Sequence, residues 1–163
     1  MLLYTTDTPA SQIVEVYTDK STGNRSLFSK TAFRVHEPIS DFYWSAVYPE
    51  PSYLTVQIGE AAHISLMPSF LACVNHSCHP NSFFDPEQKQ LVCIKPIAAG
   101  EEITFFYPSS EWSMTQPFDC YCASPFCLHH IAGARYLSPE QQKRYRFTPF
   151  IQKKLATAYG LSS

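Results

Sequence analysis

Thirteen prolines against only five glycines are what most restrict the folding of this 163-residue chain. Proline interrupts helix interiors and removes a donor from sheet ladders, so a chain this punctuated builds short strands and many turns rather than long helices. The scarcity of glycine argues against a glycine-rich phosphate loop, and the sequence contains none. With 45% apolar and 16% charged residues the chain can pack a core, and disorder is disfavoured. The length suits one domain with short appendages. Aromatic residues reach 15%, enough to line a pocket as well as fill a core.

The local pattern is β-dominated. Residues 13–17 form a β-rich run, and Thr22-Gly23-Asn24 reads as a turn before short strands over 25–28 and 31–35. Residues 53–58 alternate, with Leu54, Val56 and Ile58 on one side, and Gly59-Glu60 can turn them back into a hairpin with 62–66. The compact apolar stretch 68–74 fits one or two helical turns. Phe83-Phe84, the turn Asp85-Pro86-Glu87 and residues 90–95 read as another hairpin, and 103–107 as a buried strand. The tail differs. Ser138-Pro139-Glu140-Gln141 carries an N-cap, a first-turn proline and a capping-box glutamine. Thr148-Pro149 is a second start. Ile151, Leu155, Ala158 and Tyr159 then share a helical face, and Gly160 can end the helix. Residues 138–160 therefore predict a helical appendage packed on the body. No internal repeat or low-complexity segment is visible.

Net charge is −2, so no global field draws the chain to nucleic acid. Residues 1–110 are acidic and 111–163 basic, and the acidic part suits a basic partner. No run of 18 apolar residues predicts a membrane span, and the first residues lack a secretory pattern. The six cysteines therefore read as reduced, and the compartment as intracellular. Three of them, in Cys120-Tyr-Cys122-Ala-Ser-Pro-Phe-Cys127, are spaced C-x-C-x4-C and can converge on one tetrahedral Zn²⁺. The fourth ligand could be His129, His130 or a distant cysteine. Cys78 lies in a polar stretch, whereas Cys73 and Cys93 lie in apolar runs as core residues do. A site closed by four protein ligands is structural.

Two further segments carry chemistry. Asn75-His76-Ser77-Cys78-His79-Pro80-Asn81 is polar, yet Phe70-Leu71-Ala72-Cys73-Val74 and Phe83-Phe84 flank it and would bury its ends. Buried Asn and His must be hydrogen-bonded, to the backbone or to a ligand. Gly100-Glu101-Glu102-Ile103-Thr104-Phe105-Phe106-Tyr107 is a turn followed by an aromatic strand. Taken singly, His76 reads as a structural histidine and Tyr107 as core.

In order along the chain, NHSCHPN, GEEITFFY and C-x-C-x4-C resemble the SET-domain protein-lysine methyltransferases with a post-SET zinc segment. That family runs N-H-S-C-x-P-N, then G-E-E-L-T-F-D-Y, then C-x-C-x4-C. Arg25-Ser-Leu-Phe28 is similar to the family's G-x-G-L-F, and Ser52-Tyr53-Leu54 to the S-Y-L before its inserted region. The resemblance covers roughly residues 13–137. It implies a SET domain over 13–110, a post-SET zinc segment over 111–137 and the helical appendage over 138–163.

The implied fold is mainly β, a set of small curved sheets with the NHSC segment threaded beside the GEEITFFY strand like a pseudoknot. The implied reaction is methyl transfer from S-adenosylmethionine to the ε-amine of a protein lysine, with a histone tail as one candidate substrate. By the resemblance, Tyr107 is the catalytic tyrosine. Asn75, His76, Tyr53 and the backbone around Arg25 hold the cofactor, and Leu128 packs near its adenine. Cys78 joins Cys120, Cys122 and Cys127 as the fourth zinc ligand.

Phe105 stands at a Phe/Tyr switch two residues before Tyr107. On a strand the two side chains would share a face. Phenylalanine there implies di- or trimethylation. A family enzyme of this kind would be nuclear in a eukaryote that uses it on histones, and cytoplasmic otherwise. Direct nucleic-acid and membrane binding are not expected. Five positions depart from the pattern: Asn24 and Ser26 stand for the two glycines of G-x-G, Ala72 for an arginine, Phe106 for the aspartate of F-D-Y, and His129 for the glycine after the last cysteine. The alternative they allow is a catalytically weak SET-like module that binds a lysine-bearing tail or a protein partner.

Overall fold

The computed structural model describes residues 3–5 and 12–160. They form two compact units through which the chain passes more than once. The first comprises the described residues up to Tyr43, with Leu66–His76 and Pro80–Phe105. The second comprises Trp44–Ser65, Ser77–His79 and the described residues from Phe106 onward.

The first unit is built from small sheets. Strands β1 (Leu3–Thr5), β2 (Val14–Thr18) and β3 (Arg25–Ser29) pair antiparallel in that order. The turn between β2 and β3 is closed by Asp19, whose carboxylate accepts from the backbone and hydroxyl of Ser21 at 2.7 Å each. Strands β4 (Pro38–Asp41), β9 (Ser82–Asp85) and β10 (Gln90–Cys93) form a second sheet with β10 central. All four side chains of β9 are buried. Phe84 packs edge-on against Phe42 and Phe105, with centroids 5.8 and 4.8 Å away. Residues 31–35 do not form the predicted strand. Phe33 makes only an isolated bridge to Ile97, while the sequence nearby turns at His36, which has a positive φ of 76°.

The third sheet of this unit matters most. Strand β8 (Asn75–His76) runs parallel to β11 (Thr104–Phe105), pairing Asn75 with Thr104 and His76 with Phe105. Parallel neighbours need a long crossover, and here the intervening chain leaves through Ser77–His79 and returns at Pro80. Asn81 completes the threading with its side chain. Its Nδ2 donates to the Glu102 carbonyl at 2.8 Å, and its Oδ1 accepts from the Thr104 N–H at 2.9 Å. An asparagine amide presents the same donor and acceptor as a peptide group, so Asn81 extends the ladder where the backbone has turned away.

The second unit holds most of β5 (Tyr43–Tyr48), all of β6 (Thr55–Gly59) and most of β7 (Ala62–Met67), ordered β5-β7-β6. The predicted hairpin is present, but a register shift between Gln57 and Gly59 breaks its alternation. Val56 and Gln57 are both buried, and Leu54 is exposed. Strands β12 (Phe118–Asp119) and β13 (His130–Ile131) bracket the cysteine segment as a short antiparallel pair. The tail is helical as predicted: α1 (Pro139–Gln142) carries the full capping box and α2 (Pro149–Ala158) follows. Its buried stripe is narrower than predicted. Ile151 and Leu155 enter a cluster with Phe106, Ala134, Leu137 and Phe147, whereas Tyr159 is 46% exposed. Tyr159 still reaches inward through its hydroxyl, which donates to the Leu137 carbonyl at 3.0 Å.

Candidate active site and metal centre

The candidate metal centre, a cluster of four cysteines, lies wholly in the second unit. The Sγ atoms of Cys78, Cys120, Cys122 and Cys127 all lie within 4.8 Å of one another, with Cys78 and Cys120 at 3.9 Å. Zn–S bonds of about 2.3 Å arranged tetrahedrally place neighbouring sulfurs about 3.8 Å apart. The four thiols are thus already near the spacing that zinc requires, and none of them is in a disulfide. Their ionisation fits the same reading. Burial pushes the Cys78 thiol up, and charge on Cys120 or Cys122 opposes its ionisation further. Burial likewise raises Cys120, to about 11. At Cys122 burial acts upward too, but hydrogen bonds from the Ser124 and Cys78 backbones, then from the Cys120 and Cys127 thiols, bring it down to about 7. Four crowded thiolates repel one another unless a divalent cation neutralises them.

The knuckle is shaped by local backbone. The Cys120 N–H donates to the His129 carbonyl at 2.8 Å, and the Leu128 N–H points at Cys78 Sγ, 3.4 Å away. Ala123 and His129 adopt the left-handed conformation, with φ of 59° and 63°. His129 is the position where the resembled pattern has glycine, and the backbone here takes the form that glycine favours. Neither alternative histidine joins the sulfurs: His130 Nδ1 instead contacts the exposed Asp119 carboxylate at 3.0 Å. Cys73 and Cys93 are core residues at 2% and 0% exposure, as their apolar surroundings predict. Leu128 packs against both apolar clusters of the unit.

Of the other residues expected from the sequence to serve a site, some belong to the first unit and some to the second. In the first unit, Asn75 Nδ2 donates to the Arg25 carbonyl and Ser26 Oγ at 2.9 Å each, and lies 3.2 Å from Glu102 Oε1. The two amide hydrogens thus tie β8 to β3 and to the acidic turn before β11. The same contact commits the Arg25 carbonyl, while the Arg25 residue itself is exposed. Burial pushes His76 down to about 4, so its ring is neutral at pH 7. Phe105 is 8% exposed and packs on Phe84.

In the second unit, Tyr107 does not end a strand. Strand β11 stops at Phe105, and Tyr107 opens a single 3₁₀ turn, Tyr107–Ser109. Pro108 ends the strand early by removing a ladder donor. The expectation that Phe105 and Tyr107 share one strand face is therefore corrected. The half-buried Tyr107 ring meets Phe118 edge-on at 5.8 Å, beside the cysteine cluster. Tyr53 is 82% exposed in the turn before β6.

Two polar groups in the second unit escaped the sequence reading. The Gln57 N–H donates to Glu111 Oε1 at 3.0 Å, and Gln57 Oε1 accepts from the Trp112 N–H at 3.0 Å. Burial raises the Glu111 carboxyl to about 8. Nothing in the local sequence marks Glu111 or Gln57, because they are 54 residues apart and meet only through the fold.

Known proteins locate the chain. A model of the SET domain matches residues 5–108. A protein named Methyltransferase flvH from Aspergillus flavus is 35% identical over 147 residues, covering 89% of this chain and 80% of that protein. A histone-lysine N-methyltransferase of Candida albicans, H3 lysine-36 specific, is 36% identical over 67 residues. Those residues are 37% of this chain and only 8% of that much longer protein. The matched span, the parallel β8–β11 pair and the four-cysteine centre agree, and the chain belongs to the SET-domain methyltransferase family.

Proposed function

We propose that the chain transfers methyl groups from S-adenosylmethionine to the ε-amine of a lysine in a protein substrate. The observation that most supports this is the parallel pairing of Asn75-His76 with Thr104-Phe105, which joins the two family motifs in one ladder. Asn75 spends its amide hydrogens on the protein, so its Oδ1 is the atom suited to accept from the cofactor's ammonium group. His76, held neutral by burial, places no cation against the sulfonium. Tyr53, the backbone around Arg25 and Leu128 complete the proposed cofactor contacts. The four cysteines would hold a structural zinc, and the methyl transfer itself needs no metal.

The chemistry requires a neutral amine, whereas free lysine has a pKa of about 10.4. Desolvation among aromatic rings and repulsion by the neighbouring sulfonium both lower it. Alignment of nitrogen, methyl and sulfur then supplies the proximity advantage. Tyr107 would be the catalytic residue, its hydroxyl orienting the amine. Phe105 carries no hydroxyl to hold a water in the space of further methyl groups, so the proposed products are di- and trimethyl-lysine. This rests on the identity of Phe105 and not on a shared strand face. The acidic residues of 1–110 suit a basic substrate segment, of which a histone tail is one example. Action on histones would place the protein in the nucleus. Among the described residues, no helix is long and apolar enough to cross a membrane.

One observation favours the second reading, a module that binds without turnover. The Arg25 carbonyl, part of the backbone expected around the cofactor, already accepts from Asn75. Titration calorimetry with S-adenosylmethionine, paired with transfer of labelled methyl to core histones, separates the two. Micromolar cofactor binding with label on lysine supports the enzyme. Protein that binds histone peptides but neither binds nor consumes the cofactor supports the module.

A further inference from the structure

Phe106 replaces the aspartate of the resembled pattern, and the fold gives it a specific partner. Its ring, 2% exposed, lies flat against Tyr145, with centroids 3.6 Å apart and planes 8° from parallel. A carboxylate at 106 would be buried against a π face, so phenylalanine and Tyr145 belong together. Tyr145 then does a second thing. Its hydroxyl donates to the Cys78 carbonyl at 2.8 Å, fixing the backbone of the cysteine that comes from farthest along the chain. The preceding residue, Arg144, sets its guanidinium 5.3 Å over the Phe126 ring, and His79 stacks on Phe126 at 6.1 Å. Two consecutive residues between α1 and α2 therefore grip the neighbours of Cys78, of Cys127 and of Tyr107.

We propose that Tyr145, assisted by Arg144, is a positioning residue that couples zinc retention to the setting of Tyr107. The ring holds Phe106 and through it the start of the 3₁₀ turn. The hydroxyl holds Cys78. The catalytic half of this proposal rests on the methyl-transfer reading above, and the zinc half does not.

The test uses the zinc-loaded full chain with Y145F, Y145L and R144A. Zinc release to a chromogenic chelator is followed without cofactor or substrate, and kcat and KM are measured separately. Loss of one hydrogen bond should speed zinc release by Y145F about fivefold. R144A should speed it about threefold through the lost cation–π contact. Y145L should lose both zinc retention and about tenfold in kcat, whereas Y145F should recover kcat but not zinc retention. That split distinguishes positioning from general destabilisation, which would move both together. Zinc release from Y145F at the wild-type rate overturns the proposal, as does a kcat for Y145L equal to that of Y145F. Should Y145L fail to fold, zinc release from Y145F and R144A decides alone. If the wild type transfers no methyl, the catalytic reading fails and the zinc measurement still tests the brace. A wild type that takes up no zinc overturns both the metal centre and the coupling.

Discussion

Replacing Gly133 by alanine should unfold the second unit more readily than any other single-methyl change in it. Gly133 has φ 122° and ψ 168°, a region essentially closed to residues with a Cβ, and adopting it costs about 2 kcal/mol. An added Cβ would also sit 2.4 Å from the Trp112 carbonyl oxygen and 2.8 Å from its carbon. Both atoms are backbone and cannot swing aside. Moving them strains the bonds from Ala134 N–H to the Glu111 carbonyl, 2.8 Å, and from Arg135 N–H to the Trp112 carbonyl, 3.0 Å. Overpacking of this kind costs about 2 kcal/mol more. The sum, about 4 kcal/mol, corresponds to a fall in Tm of about 8–16 °C for a chain of this size. Gly100→Ala is the control. Its φ is 89°, but nothing lies within 4 Å of the added Cβ, so only the conformational part applies, about half the effect. Thermal unfolding followed by circular dichroism reads both. A drop under about 3 °C for Gly133→Ala, or one no larger than for Gly100→Ala, refutes the close-approach argument.

Cys122→Ser should bring zinc below half an equivalent by elemental analysis and weaken S-adenosylmethionine binding, since the segment beyond Cys120 loses its anchor. His76→Ala should lower cofactor affinity at least about fivefold in calorimetry while zinc content stays at the wild-type level. Tyr107→Phe removes one oxygen and should reduce kcat by about 10²-fold or more with little change in Tm or cofactor affinity. Glu111→Gln tests a pH effect. Because the folded carboxyl titrates near 8 and the unfolded one near 4.5, the protein loses stability as pH rises through that window. The neutral amide should therefore raise Tm at pH 8.5 and leave it nearly unchanged at pH 4.5.

The readable parts of this fold are those whose signals are local. The capping box at Ser138, the hairpin around Asp85-Pro86 and the turn at Gly23 each rest on a few neighbouring residues. So does the cysteine spacing, although the choice of Cys78 over His130 needed the resemblance and then the geometry. What stayed hidden depends on partners distant in sequence. Strand β8 is two residues long and carries no periodicity; it exists because β11 lies beside it. Strands β4 and β5 begin at a proline and an exposed tyrosine, and their sheet partners define them. The strand expected over 103–107 was cut short by Pro108, visible in the sequence but outweighed there by the aromatic run. Nothing in the local sequence singles out Tyr145. Its role becomes visible only when Phe106 and the Cys78 carbonyl are brought to it.

Mass spectrometry of the product tests lysine methylation most directly. Zinc-loaded protein is incubated with S-adenosylmethionine and core histones, alongside Tyr107→Phe, and the substrate is digested and sequenced by fragmentation. Di- or trimethyl groups on one or a few lysines, absent with Tyr107→Phe, are the result predicted here. Methyl groups on another residue type, or equal methylation by Tyr107→Phe, would contradict it.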